Sequence, residues 1–257
     1  MISEYLRPNS IEEALALLTD TKKVRRPMGG GIRLSRQQAS LDSVVDLQNV
    51  GLDKIQIQNQ RIAVGAMVRL EHLLMHPDVH PEIKRAIRID AAQNIRNMAS
   101  LGGWLISSDG RSILTTVILA LDTNLTWEPE SLRVHMGDWL PVRGSTFPGV
   151  LMTEASWFTG AHLVFEYVAR SPKDRPILVV AMAQWGSDRT RVALGGFGNA
   201  PIIATDGPDS SGVEIASKDA YAEAGDQWAS AEYRQAVASN LARRCLKRIE
   251  ALISSEA

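Results

Sequence analysis

A single cysteine, Cys245, is all the thiol in the 257 residues. An intrachain disulfide is therefore excluded, and no cysteine pair is present to hold zinc or an iron–sulfur cluster. Aromatic residues are scarce, at 5%. No apolar run reaches the roughly 18 residues of a membrane span, and the polar segment Met1 to Asn9 lacks a signal-peptide core. Excess charge of one sign is missing too. The net charge is −1, and the densest basic cluster, Lys22-Lys23 to Arg25-Arg26, is broken by Val24. That argues against nucleic acid, whose phosphates need a basic stripe. These absences predict a soluble protein of a reducing compartment, most simply cytoplasmic, with no membrane span.

What is present is ordinary globular material, 45% hydrophobic and 22% charged, long enough for two or three small domains. Ser10-Ile11-Glu12-Glu13 reads as a capping box opening an amphipathic helix. Val24 to Met28 and Ser43 to Leu47 read as strands. Lys54 to Gln58 and Arg61 to Gly65 alternate with period two about Asn59-Gln60, which predicts a hairpin. Helices are expected near Leu70 to His76, Pro81 to Asn94 and, buried, Ile113 to Leu121. Strands dominate from Leu125 to about Ile203, and Asp206 to Gly212 reads as a polar loop. Ser230 to Ile253 reads as an amphipathic helix with Tyr233, Val237, Leu241, Cys245, Leu246 and Ile249 on one side. Strands and helices in blocks make the fold class α+β.

Two glycine segments carry the chemical interest. Gly29-Gly30-Gly31 follows a strand directly, and Gly102-Gly103 follows Ser100-Leu101. Glycine lets backbone amides converge and a ligand approach closely, and successive amides can form an anion-binding nest. Two such loops could clamp one diphosphate. Tight turns with no ligand are the ordinary alternative, since neither segment carries a P-loop lysine or the spaced glycines of a dinucleotide turn.

The order of these pieces resembles the flavin subunit of molybdenum hydroxylases of the xanthine or carbon monoxide dehydrogenase kind. Arg7-Pro8-Asn9-Ser10-Ile11 is similar to the family's opening phrase, and Met28-Gly29-Gly30-Gly31-Ile32-Arg33-Leu34 to its first glycine loop. The most specific signature is Ile95-Arg96-Asn97-Met98-Ala99-Ser100-Leu101-Gly102-Gly103. Val45-Asp46-Leu47, Ile62 to Ala66, Leu119 to Asp122, Phe165 to Arg170, Arg191 to Gly196 with Pro201, and Ala231 to Arg234 follow in the expected order.

The resemblance implies a two-part FAD-binding domain of the vanillyl-alcohol-oxidase-like type, residues 1–54 and 55–158. A C-terminal α+β domain of the carbon monoxide dehydrogenase flavoprotein type, residues 159–257, follows. It implies FAD held through its pyrophosphate by Gly29, Gly30, Gly31, Gly102 and Gly103, with Met28, Ile32, Ser100 and Leu101 shaping the loops. Electrons would arrive from [2Fe–2S] clusters on a small partner subunit and molybdopterin on a large one, and leave to an external acceptor. A heterotrimer, or a dimer of heterotrimers, is implied. Flavin redox chemistry needs no residue for acid–base work, so none is assigned.

Several positions depart from the family pattern. Gly31 stands where a hydroxyl is common, Trp104 where Asn is common, Ile113 where an acidic residue meets the cofactor's ribose, and Tyr167 where a positively charged residue is common. Arg33 or Arg111 could supply charge to a phosphate, Tyr167 could stack near the flavin, and Trp104 could intrude on the diphosphate volume or pack away. A flavin-free structural or assembly subunit with the same fold therefore stays open as the alternative. The pair His72–His76 has helical metal-site spacing but no third ligand. Arg143-Gly144-Ser145-Thr146 lacks the flanks of a nucleophile elbow. Met67, Met75 and Met98 read as packing residues.

Overall fold

The computed structural model describes residues 4–34, 43–143, 147 and 149–256. In chain order, the N-terminal elements are β1 (Glu4–Leu6), α1 (Ile11–Thr19), β2 (Arg25–Met28), β3 (Ser43–Asp46), β4 (Ile55–Gln58) and β5 (Arg61–Gly65). The central elements are α2 (Leu70–Met75), α3 (Pro81–Asp90), α4 (Gln93–Met98), α5 (Leu101–Ser107) and α6 (Ile113–Ala120). Next come β6 (Asn124–Glu128), β7 (Leu132–His135), α7 (Met136–Trp139) and a 3₁₀ turn at Leu140–Val142. Strands β8 (Leu151–Phe158), β9 (His162–Val168), β10 (Leu178–Gln184), β11 (Thr190–Gly195) and β12 (Ile202–Gly207) lead to helices α8 (Val213–Asp219) and α9 (Ala231–Glu256).

The chain forms two compact units, neither continuous in sequence. One comprises Met1–Pro77, Ala91–Ser107 and Asn124–Trp157; the other comprises Asp78–Asp90, Ser108–Thr123 and Phe158–Ala257. The first unit holds a parallel sheet in the order β1-β3-β2 and a five-stranded sheet in the order β4-β5-β8-β6-β7. Strand β3 is wholly buried, Asp46 included. Its carboxylate is accommodated by Tyr5 Oη, by Arg7 Nε at 3.2 Å and by the Gln48 amide at 3.1 Å, as a buried charge requires. Helix α1 lays Ala14 with Ile11, Leu15 and Leu18 onto Val45, Leu47, Val50, Leu52 and Met67.

The second unit is an antiparallel sheet in the order β12-β11-β10-β9. Val180, Met182, Val192 and Leu194 pack with Tyr221, Leu241, Ala242, Cys245 and Ile249 of the C-terminal helical region. Every residue of α6 is buried, and it lies along β10 and β11. With helices on both faces, all seven residues of β10 are buried. This explains why Ile177 to Ala183 is a continuous apolar run where a half-exposed strand would alternate.

The expected α1 cap forms, with Ser10 Oγ accepting from the Glu13 amide at 3.2 Å. Glu13 returns to the Asn9 amide at 2.8 Å, one residue before the expected donor. Asn59 and Gln60 both have positive φ, as a two-residue hairpin turn demands.

Four expectations need correction. Pro81 to Asn94 is two helices. The Asp90 carboxylate accepts from Ser112 Oγ at 2.7 Å and from the Ile113 and Leu114 amides at 3.0 and 2.9 Å. That capping role on α6 stops α3 there, and α4 restarts after Ala92. Asp206 and Gly207 belong to β12 rather than to a loop, because Asp206 pairs with Arg191 across the ladder. Tyr233 is 43% exposed, and the buried stripe of α9 is Ala238, Leu241, Ala242, Cys245 and Ile249. Met67 is core as expected, but Met75 and Met98 are 70% and 52% exposed. Gly144, Ser145 and Thr146 lie outside the described residues.

Candidate functional site

Both glycine segments fall in the first unit, and a third segment joins them. Strand β2 pairs in parallel with β3, and the Leu47 amide donates to Met28 O at 3.1 Å, which fixes where the chain enters Gly29-Gly30-Gly31. After β5, residues 66–70 run antiparallel to residues 99–102. Leu70 donates to Ala99 O, Leu101 to Val68 O and Gly102 to Ala66 O, each at 2.9 Å, and Arg69 bridges Ser100.

The first glycine segment rests on this pair. A Cβ at Gly29 would collide with Ser100 Oγ and stand 3.5 Å from Met67 Sδ. One at Gly30 would collide with the Met98 carbonyl and stand 3.1 Å from Arg69 Nη1. Gly31 has φ of +70°, the left-handed region that favours glycine. Residues 74 positions apart, Gly29 and Gly103, are thus parts of one cradle, since Ser100 Oγ lies beside Gly29 and accepts from the Gly103 amide at 3.2 Å.

The two segments differ in their free donors. Among the described residues, none supplies an acceptor to the amides of Gly29, Gly30 or Gly31. Gly102 and Gly103 stand in the first turn of α5, not in a loop. The Gly102 amide is engaged by Ala66 O, and the Gly103 amide by a hydroxyl that can rotate away. Gly102 is glycine for packing, because a Cβ would sit 2.8 Å from Ala66 Cβ and 2.9 Å from Ala66 O. Leu101 is fully buried and anchors α5 in the core.

The positions flanking the cradle divide as clearly. Met28 lies against Gly31, its Sδ 3.5 Å from where a Cβ would stand, and Ile32 is half-buried. Arg33, a candidate phosphate ligand, instead donates to Ser107 O at the end of α5. Arg111, the other candidate, belongs to the second unit, where it donates to Pro176 O at 2.8 Å and Arg175 O at 2.7 Å and lies over Trp228. His72 and His76 lie 6.5 Å apart, ring to ring. Among the described residues no group of three or more potential ligands surrounds a metal-sized space.

The donor set tests the fit of a diphosphate. Three unengaged amides and the Arg69 guanidinium stand at Gly29 to Gly31, with no carboxylate paired to that arginine among the described residues. Amides without acceptors beside a guanidinium with no carboxylate partner suit an anion, so the residues present fit the group.

A family model described as the FAD binding domain in molybdopterin dehydrogenase matches residues 1–153. The chain belongs to this family. As a molybdopterin dehydrogenase family member it is 27% identical to the carbon monoxide dehydrogenase medium chain of Afipia carboxidovorans, over 96% of both chains. It is also 27% identical to the glyceraldehyde dehydrogenase medium chain of Sulfolobus acidocaldarius, over 70% of this chain and 68% of that one. YgfM of Escherichia coli K12 is 26% identical over 76% of this chain and 75% of its own length. The fold matches quinoline 2-oxidoreductase from Pseudomonas putida 86 with a TM-score of 0.81 at 22% identity. It matches carbon monoxide dehydrogenase from Hydrogenophaga pseudoflava with 0.82 at 21%; each match covers 98% of both chains. These solved structures establish the α+β fold.

In this family member the departures fall at structurally different places. Gly31 lies in the cradle itself. Trp104 is half-buried on α5, where its amide donates to Ser100 O at 2.9 Å. Ile113 is fully buried at the start of α6, beneath the Asp90 cap. Tyr167 lies on β9 opposite Val179, its ring 6.3 Å from Phe165. Sequence reasoning overlooked Arg69. The signal was present as a lone charge inside Ala66-Met67-Val68-Arg69-Leu70, directly after a strand-ending glycine.

Proposed function

We propose that this chain binds FAD by its diphosphate at the Gly29–Gly31 cradle and serves as the electron-transfer subunit of a heteromeric molybdenum hydroxylase. The observation that carries the reading is the junction of the two glycine segments in one unit, with the amides of Gly29, Gly30 and Gly31 left without acceptors among the described residues. Bound FAD would supply the capacity to accept and release electrons. The chain's own residues bind and orient: Gly29 and Gly30 bring backbone within reach of a phosphate, and Ser100 braces them. The Ser100 hydroxyl can exchange its bond with Gly103 for one to a ligand.

The medium-chain relatives support partners as well. On this reading, electrons come from [2Fe–2S] clusters on a small subunit, reduced by a molybdopterin-bearing large subunit, and pass on to an external acceptor. No helix among the described residues is long and apolar enough to cross a membrane, which accords with a complex working in the cytoplasm.

A second reading, a flavin-free assembly subunit of the same fold, is favoured by one specific observation. The Gly102 amide is fully engaged by Ala66 O, and Trp104 follows it on the same helix. An absorbance spectrum of the protein, isolated with its co-purifying partners and then challenged with FAD, decides between them. Flavin bands that survive gel filtration at stoichiometric amounts support the first reading. A colourless protein that also fails to retain added FAD, alone and in its complex, overturns it.

A further inference from the structure

We infer that Arg69 is the charge this cradle offers to a diphosphate, which on the reading above is that of FAD. One guanidinium is placed to do this. Arg69 Nη1 stands 3.1 Å from where a Gly30 Cβ would be, so the cation abuts the segment whose amides lack acceptors. The same nitrogen donates to the Met98 carbonyl, which holds the head group in place. Its backbone is fixed as well, through the bridge to Ser100.

Arginine carries five N–H donors in a planar fork. The bond to Met98 uses Nη1 and leaves Nε and Nη2 without a partner among the described residues. Several arginines packed into the fold contrast with this. Arg96 is bound to Glu71 and Ala91 O, Arg191 to Asp206 and Asp122, and Arg248 to Glu82 and Glu166. An arginine held against a glycine cradle with its remaining fork unclaimed suits an oxyanion, because charge-assisted, two-pronged bonds are the strong ones.

Arg69 also stands in for what the departures remove. Gly31 brings no hydroxyl and Trp104 no amide side chain, so the neutral donors common in the family are gone. A full positive charge from the neighbouring segment can replace them with stronger bonds. Recognition then shifts from neutral hydrogen bonding to charge, and the affinity acquires a salt dependence.

The full-length chain is titrated with FAD, riboflavin and inorganic pyrophosphate at several salt concentrations, as the unaltered protein and as Arg69→Gln and Arg69→Lys. FAD affinity is expected to fall about tenfold or more in Arg69→Gln, with most of the salt dependence lost. Riboflavin, which lacks the diphosphate, is expected to bind all forms alike, and Arg69→Lys to lose less than Arg69→Gln. If Arg69→Gln fails to fold, the salt series on the unaltered chain and the Lys variant still decide. FAD retention with no salt dependence and no loss in the foldable variants overturns the assignment and leaves the flavin reading standing. A chain that refuses FAD but binds pyrophosphate through Arg69 removes the flavin reading and keeps the assignment. Binding neither overturns both.

Discussion

Two glycine clusters follow strands in this chain, and they do opposite things. Gly196 and Gly198 follow β11, which itself ends on Gly195, as Gly29, Gly30 and Gly31 follow β2. In the second unit the cluster closes on itself: Gly110 donates to Gly198 O at 3.0 Å, and Gly196 donates to Gly110 O at 2.7 Å. The attending arginine is used up as well. Arg234 is 0% exposed and donates to Ile177 O at 2.9 Å, to Ala224 O, to Ala229 O at 3.0 Å and to Asp226 at 2.9 Å. In the first unit the glycine amides have no acceptors among the described residues, and Arg69 makes one bond. Glycine density marks close backbone approach in both places. Only the tally of donors left without acceptors separates a packing turn from a binding cradle, because buried or converging polar groups must find a partner.

The largest effect that tests this contrast is on the closed cluster. Arg234→Leu is expected to destabilise the protein by about 3 kcal/mol or more, because it strands buried carbonyls and the Asp226 charge. Urea denaturation of the full chain measures it. A loss below about 1 kcal/mol would mean that the arginine is not the tie for this turn. Gly30→Ala comes next, at about 2 kcal/mol, since its Cβ meets the Met98 backbone carbonyl rather than a movable side-chain end. The same variant is expected to lose FAD retention, whereas Arg234→Leu, where still folded, retains it. A Gly30→Ala protein with unchanged stability and unchanged FAD retention would break the comparison.

A smaller effect depends on pH. Burial pushes the Asp90 carboxyl above the usual range, against the pull of Ser112 and of the Leu114 and Ile113 amides. The folded state then binds more protons than the unfolded state between the ordinary carboxylate pKa and the raised one. Stability from this group is therefore highest below the ordinary value and falls as pH rises towards the folded value. The slope is at most about 1.4 kcal/mol per pH unit for a single group. Asp90→Asn keeps an acceptor for Ser112 and is expected to flatten the profile across the weakly acid range. Parallel profiles for the two proteins would show that Asp90 is ionised throughout.

Much of this was legible beforehand because local pattern and tertiary role agree. The Asn59-Gln60 hairpin, the Ser10 cap, the buried α6 and the inward side of α9 at Leu241, Cys245 and Ile249 each follow from a period or a turn requirement that the packing respects. The misses have a common physical cause, which is a side chain serving a distant element. Asp90 ends α3 because it caps α6, 22 residues on, through Ser112. Asp206 stays in β12 because Arg189 and Arg191 neutralise it. Gly102 and Gly103 read as a loop because glycine is a poor helix former. They sit in α5 because residues 66–70 pin its first turn. Arg69 escaped notice for the same reason, since its importance comes from Gly30, 39 positions earlier, and nothing in its own neighbourhood announces that.

Gly103 offers the finest discrimination. Its Cβ would meet only Ser100 Oγ, at 3.0 Å, the far end of a side chain that can turn. In a helix, alanine exceeds glycine by about 0.5–1 kcal/mol. Gly103→Ala is therefore expected to leave stability unchanged or raise it by up to about that amount, whereas Gly102→Ala, against the Ala66 backbone, lowers it. Displacing Ser100 Oγ would also disturb the brace beneath Gly29. If the cradle holds a diphosphate, Gly103→Ala gains stability while FAD affinity falls by about two- to fivefold, the loss of part of one neutral hydrogen bond. Paired thermal denaturation and FAD titration separate the two quantities. A variant that gains stability and keeps its FAD affinity would confine the binding role to Gly29, Gly30 and Gly31, with α5 as their support alone.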